Sequence, residues 1–204
     1  MNKANVRVAL FGGSFDPPHI GHLMVISALL NSDLVEEVWL VPSGIRPDKS
    51  YYSSTLDRLT LVYALLFESG IPAGRLRVCE AEIQGKVPGV GTANLLRFLR
   101  KQYTNKNFFF VIGSDLVMQL PNWLDPDYLR LSVPFLTITR GDYPSLSSDV
   151  DSEVKGFNLH SVPQPFVCTI SSSELRTLIK NGKVINGYIP KLVAEAIKAL
   201  GLYR

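Results

Sequence analysis

With 204 residues, 46% of them hydrophobic and 19% charged, the chain has the size and composition of one globular domain and not of a disordered segment. No apolar run reaches the roughly 18 residues that a membrane-spanning helix needs. The net charge of +3 comes from scattered Lys and Arg without the basic stripe of a nucleic-acid binder, so neither a membrane nor a nucleic acid is expected as a partner.

The chain runs from Met1 straight into an apolar stretch followed by Gly12-Gly13, with no small-residue cleavage site, which reads as a cytoplasmic protein without a signal peptide. That stretch, residues 6–11, predicts a first strand, and 20–30 a helix. A second strand is expected over 38–41 and a helix over 55–67, with apolar Leu59, Val62, Leu65 and Leu66 and capping serines at 53 and 54. Residues 76–79 predict a third strand and 92–103 a helix. Strands follow at 107–112 and 133–138, separated by a helical segment, and a late edge strand at 157–161. Residues 85–91 and 142–156, rich in turn formers, read as mobile loops. Cys79 and Cys168 lie far apart and outside any C-x-x-C pair, as reduced thiols do.

Strands alternating with helices of this length imply βαβ units. The expected fold is α/β, a Rossmann-like doubly wound parallel sheet over residues 1–204, with a small helical C-terminal subregion at 168–204. Within that subregion Ser171 stands three residues before Glu174, a capping-box spacing. Pro190 is expected as the first residue of the last helix and Gly201 as its stop.

The densest chemistry is Gly12-Gly13-Ser14-Phe15-Asp16-Pro17-Pro18-His19-Ile20-Gly21-His22, between the first strand and the first helix. In a doubly wound sheet, ligands bind beyond the carboxyl ends of strands. Glycines let backbone approach phosphate oxygens, and the helix start offers free N–H groups and partial positive charge. His19 and His22, three apart, face the same side of the first turn and could donate to a triphosphate. The string is neither a P-loop nor a G-x-G-x-x-G fingerprint. A His-x-x-His metal site and a plain turn with two surface histidines are the rival readings; with no further ligand nearby, no metal is expected to be held by these residues.

A second helix start, Ile170-Ser171-Ser172-Ser173-Glu174-Leu175-Arg176, gathers three hydroxyls and a guanidinium, a set suited to polyphosphate. A capping box alone is the competing account.

The first string resembles the G-x-F-D-P-x-H-x-G-H signature of the nucleotidylyltransferase superfamily, and the second its I-S-S-T-x-I-R motif, with Ser173 for Thr and Leu175 for Ile. Three more segments resemble the nicotinate-nucleotide adenylyltransferases. They are Ile112-Gly113-Ser114-Asp115 with Leu120 and Trp123, then Arg140-Gly141, then Tyr188-Ile189-Pro190 through Leu202-Tyr203. The likeness implies that His19 and His22 contact the ATP phosphates and that backbone at Gly12, Gly13, Ser14 and Phe15 lines the pocket. It also implies ATP contacts from Gly113, Asp115, Ser171, Ser172, Ser173 and Arg176. Asp115 serves equally as the cap of a following helix, and Trp123 either stacks on a pyridine ring or anchors the core. Lys49, in Arg46-Pro47-Asp48-Lys49, resembles a P-P-H-K loop whose basic residue reaches the phosphates; a solvated surface lysine explains it as well. The pyridine-side loop of the resembling enzymes reads T-x-D-T-L, and here Thr92-Ala93-Asn94-Leu95-Leu96 stands in its place, leaving acid or amide substrate open.

The expected reaction is transfer of AMP from ATP onto nicotinate mononucleotide, by in-line attack of its phosphate on the α-phosphorus with no covalent enzyme intermediate. His19, His22, Lys49, Ser172 and Arg176 carry the charge stabilisation, and Mg2+ comes with ATP without a dedicated protein cage. Nicotinamide mononucleotide or pantetheine phosphate as acceptor, or a non-catalytic nucleotide-binding protein, are the alternatives. A homo-oligomer fits the sequence as well as a monomer does.

Overall fold

The computed structural model describes residues 5–45, 50–141 and 154–204. Lys49 and most of the 142–156 loop lie outside them.

Six strands, β1 (Val6–Gly13), β2 (Glu37–Pro42), β3 (Leu76–Val78), β4 (Lys106–Gly113), β5 (Pro134–Ile138) and β6 (Asn158–Ser161), form one sheet in the order β3-β2-β1-β4-β5-β6. Every pair is parallel. This is the Rossmann-like order with its switch point between β1 and β4, the crevice where ligands bind in such sheets. Both sheet faces are covered, so the strands read as apolar runs. Alternation still sorts the side chains by face. Ala9, Val38, Leu40 and Val111 enter one core, and Val8, Leu10, Trp39, Val41, Phe108 and Ile112 the other.

The first core is closed by α1 (Ile20–Asn31), α2 (Thr55–Glu68), α5 (Ser172–Lys180) and α6 (Lys191–Leu200), through Ile26, Leu29, Leu61, Leu65, Leu175, Val193 and Ile197. The second is closed by α3 (Thr92–Gln102) and, within the segment read as helical, by a 3-10 run, Ser114–Asn122, and α4 (Pro126–Ser132). Pro121 inside that run lacks the N–H an α-helix needs.

Several details differ from the sequence expectation. Ser54 alone caps α2, in a reciprocal box with Asp57; Ser53 is buried and bonds elsewhere. The buried face of α2 is Arg58, Leu61, Val62 and Leu65, with Leu59 only half-buried. Pro190 is the N-cap of α6 and not its first helical residue. The Glu68 carboxylate accepts the N–H groups of Lys191 at 2.7 Å and Leu192 at 2.6 Å, joining the end of α2 to the start of α6. Val154, at the end of the segment read as a loop, and Phe157, expected as the first residue of the edge strand but lying just before β6, are core residues. No helix among the described residues is long and apolar enough to cross a membrane.

Candidate active site

The carboxyl ends of β1 and β4 open into a cavity of about 860 Å3, at the upper end of the range for ligand pockets. The 12–22 segment forms its floor. Pro17 and Pro18 block helix formation until His19, the N-cap of α1, at φ −149° and ψ 176°. His22 occupies the third helical position, and its Nδ1 accepts the backbone N–H of His19 at 3.0 Å. Its remaining proton is therefore on Nε2, a donor. The two rings lie 3.9 Å apart between centroids, and Phe15 and Phe11 pack on His22 at 4.9 and 5.8 Å.

This enclosure makes the charged imidazole costly. Burial, helped by the nearby positive charge of Arg140, pushes His19 down to about 4. Burial, with His19 and Arg140 alongside, holds His22 well below the ordinary imidazole value. Both are neutral donors at pH 7. The Nδ1 of His19 is buried without a hydrogen-bond partner.

The glycines serve packing as well as access. A Cβ on Gly13 would lie 3.1 Å from the Phe15 ring, and one on Gly12 3.3 Å from Phe110. Phe15 is fully buried in a left-handed conformation, φ 50°, which costs an L-residue roughly 1–2 kcal/mol and persists only where surroundings enforce it. The Asp16–Pro17 bond that follows is cis.

The start of α5 meets this loop from the far end of the sequence. The Ser171 hydroxyl donates to Glu174 at 2.7 Å in a complete capping box. That of Ser172 donates to the Pro17 carbonyl at 2.8 Å. The Ser173 Oγ accepts from Arg176 at 3.0 Å. Two of the three hydroxyl protons expected to serve a phosphate are thus already committed to the protein. What α5 still offers the cavity is its N-terminal N–H groups, the Ser173 hydroxyl proton and the guanidinium edge. Arg176 itself is fixed by the Asp16 carbonyl at 2.7 Å and stacks 4.0 Å from the centre of the Tyr52 ring.

Gly12, Gly13, Ser14, Phe15, His19, His22, Thr92, Gly113, Trp123, the three serines and Arg176 all line the one cavity. Asp115 and Asn94 do not. Asp115 pairs with Arg140 at 3.6 Å, and its Oδ1 would stand 2.2 Å from a Cβ on Gly113, which keeps that position glycine. Gly113, not Asp115, caps the segment that follows. The Asn94 amide donates to the Val90 carbonyl at 3.0 Å and braces the 85–91 loop. Trp123 stands nearly perpendicular to Phe110 and Phe135 at 6.1 and 6.3 Å, core on one side and cavity wall on the other. Helix α3 begins at the same wall. Its N-cap is Gly91, which supplies no side-chain acceptor, and its first turn carries no acid.

Among the cavity residues to which the sequence reading gave no site role are Arg140, Tyr52 and Phe166. Arg140 follows β5 and presents a mostly exposed guanidinium to the histidines; the rule that sites lie at carboxyl strand ends could have found it. Tyr52 and Phe166 are 70% and 71% exposed at the rim, and no motif marks either. Neutral imidazole donors, two arginines and two helix N-termini around one crevice can bind a chain of phosphates and take up negative charge that develops on it.

Residues 10–178 match the family model described as cytidylyltransferase-like. A protein of Shouchella clausii named "Probable nicotinate-nucleotide adenylyltransferase" is 36% identical over 199 residues, covering 97% of this chain and 96% of its own. The nicotinate-nucleotide adenylyltransferase of Bacillus subtilis is 29% identical over 205 residues, covering 97% and 98%. Among solved structures, the Plasmodium falciparum nicotinic acid mononucleotide adenylyltransferase complexed with NaAD is similar with a TM-score of 0.82 at 27% identity over 97% of each chain. The same enzyme complexed with APC gives 0.78 at 26%.

Proposed function

The chain belongs to the cytidylyltransferase-like family of nucleotidyltransferases, and we propose that it transfers AMP from ATP to nicotinate mononucleotide, giving deamido-NAD and pyrophosphate in NAD synthesis. The observation that carries this reading is a single cavity at the β1/β4 switch point with a phosphate-binding end and an aromatic end. His19, His22, Arg176 and the starts of α1 and α5 make the first. Trp123, Leu116 and the start of α3 make the second. The relatives' names and the NaAD complex of a similar structure agree with it.

A phosphate oxygen of the mononucleotide attacks the α-phosphorus in line, and the bond to the β-phosphate oxygen breaks. The nucleophile is already anionic, so no side chain need take a proton. Charge builds on the bridging and leaving oxygens, where Nε2–H of His22, His19, Arg176 and Arg140 can donate. Lys49 is proposed as a further cation on the incoming polyphosphate. A divalent cation, which we take to be Mg2+, neutralises phosphate charge when ATP binds. Among the described residues no group of three His, Cys, Asp or Glu gathers to hold a metal ion, and we propose that the cation would arrive with the ATP phosphates.

The preference for the acid follows from α3. Its first N–H groups have no side-chain cap, and a nicotinate carboxylate placed there gains both hydrogen bonds and the helix dipole, about 0.3–1 kcal/mol from the dipole alone. A neutral carboxamide gains less. Pyrophosphate release from ATP and Mg2+ should be fast with nicotinate mononucleotide and at least tenfold slower with the nicotinamide form or with pantetheine phosphate. Release equal with the two pyridine substrates defeats the acid assignment, and no release with any acceptor leaves the non-catalytic reading.

A further inference from the structure

Among the described residues only four other than glycine have a left-handed backbone, and two of them, Phe15 at φ 50° and Tyr203 at φ 62°, flank one carboxylate. The Tyr203 hydroxyl donates to Oδ1 of Asp16 at 2.6 Å, across 187 positions of sequence. The same hydroxyl accepts from Ser53 Oγ at 2.9 Å. The other oxygen of Asp16 accepts the Tyr52 N–H at 2.7 Å. Asp16 is 3% exposed, so its carboxylate relies on donors within the protein.

The groups around this carboxylate connect it to the phosphate end of the cavity. The backbone carbonyl of Asp16 holds Arg176 at 2.7 Å, and the Tyr52 ring lies under that guanidinium. Arg58, buried beneath the loop, donates to the Ser14 carbonyl at 3.1 Å and stacks 4.2 Å from the Tyr51 ring. Burial lowers the Arg58 guanidinium from its ordinary value, and the nearby Asp16 carboxylate opposes that shift. Burial and the bond to Asp16 push the Tyr203 hydroxyl far above its ordinary range, so it remains a donor at any working pH.

We propose that Tyr203 is a positioning residue for adenylyl transfer: its hydroxyl fixes the Asp16 carboxylate, and the Asp16 backbone in turn fixes Arg176 against the phosphates. The inference rests on the nucleotide-transfer reading above. Ring and hydroxyl have separate tasks. The ring packs at the margin of the first core, which any aromatic residue would satisfy. The hydroxyl answers a buried charge, and losing it leaves an acceptor unpaired. The loop then relaxes from the left-handed backbone at Phe15, and the carbonyl that holds Arg176 moves with it.

Tyr203→Phe keeps the ring and deletes the donor. Steady-state pyrophosphate release should show kcat reduced about tenfold, with KM for both nucleotides within about twofold of the wild type, because a misplaced group costs most in the transition state. In an Arg176→Ala background, Tyr203→Phe should cost less than about twofold, since the group it positions is gone. Ser53→Ala should give a smaller loss in kcat that vanishes in the Tyr203→Phe background. Wild-type kcat in Tyr203→Phe overturns the proposal, and so does an undiminished tenfold loss in the Arg176→Ala background. Hydrogen exchange of the 14–18 and 51–53 peptides needs no turnover. Tyr203→Phe should speed exchange there and leave the strands unchanged, whereas exchange identical to the wild type, or faster throughout, overturns it. Absence of wild-type turnover would instead defeat the nucleotide-transfer reading, and leave the exchange result to decide the role of Tyr203.

Discussion

His22 spends Nδ1 on the backbone of the residue three places before it and so enters the cavity as a donor of fixed tautomer. His19 has no such partner, and its enclosure has a measurable consequence. An imidazole held at about 4 in the folded chain and near 6.5 in the unfolded one is protonated first in the unfolded state. Stability from this source is complete above pH 6.5 and falls as the pH drops toward 4. By pH 5 the loss is about 2 kcal/mol for His19, and His22 adds to it in the same direction. Urea midpoints at pH 7.5 and 5.0 should therefore differ clearly in the wild type and by less in His19→Asn. An equal drop in both would show that His19 is not enclosed in solution. The two histidines could be read from spacing because helix geometry relates positions three apart. Asp16, Arg58 and Tyr203 could not, because their partners stand 36 to 187 positions away and nothing local records which loop a chain will return to.

At the scale of elements, α1 shows how a helix start and the cavity floor share one residue. A Cβ on Gly21 would lie 3.0 Å from both His19 Nδ1 and Cys168 Sγ. Helix propensity favours alanine over glycine there by up to about 1 kcal/mol, so Gly21→Ala should leave the melting temperature within a few degrees while turnover falls about tenfold. Adding Cys168→Ala relieves the sulfur contact but not the imidazole. Full recovery in the double variant would show that the thiol, and not His19, transmits the change. The alternation of strands and helices was legible because buried parallel strands and amphipathic helices carry different periods. The 3-10 run at Ser114–Asn122 was not, since apolar spacing alone does not separate a 3-10 run from an α-helix, and Asp115 pairs with an arginine that follows the next strand. The three serines of α5 read correctly as a helix start. That the Ser172 hydroxyl donates to Pro17 was not legible, because Pro17 approaches it only in the folded sheet.

At the scale of the molecule, the strand order puts the first-half and second-half segments on either side of one crevice. The floor comes from residues 12–22, and its clamps come from α5 and from Tyr203. This arrangement makes nucleotide affinity a property of the completed fold. Contacts between such distant positions form late and slowly, so no folding intermediate made only of β1 to β3 can offer the phosphate end its full set of donors. During refolding from urea, recovery of bound fluorescent ATP analogue should follow the slowest phase of far-UV ellipticity and show no earlier amplitude. Saturating nucleotide at about 100 times its Kd should in turn raise global stability by about 2.7 kcal/mol. The tyrosine that closes over Asp16 is among the last residues of the chain, so the loop that holds Arg176 is braced only after the distal segment has docked.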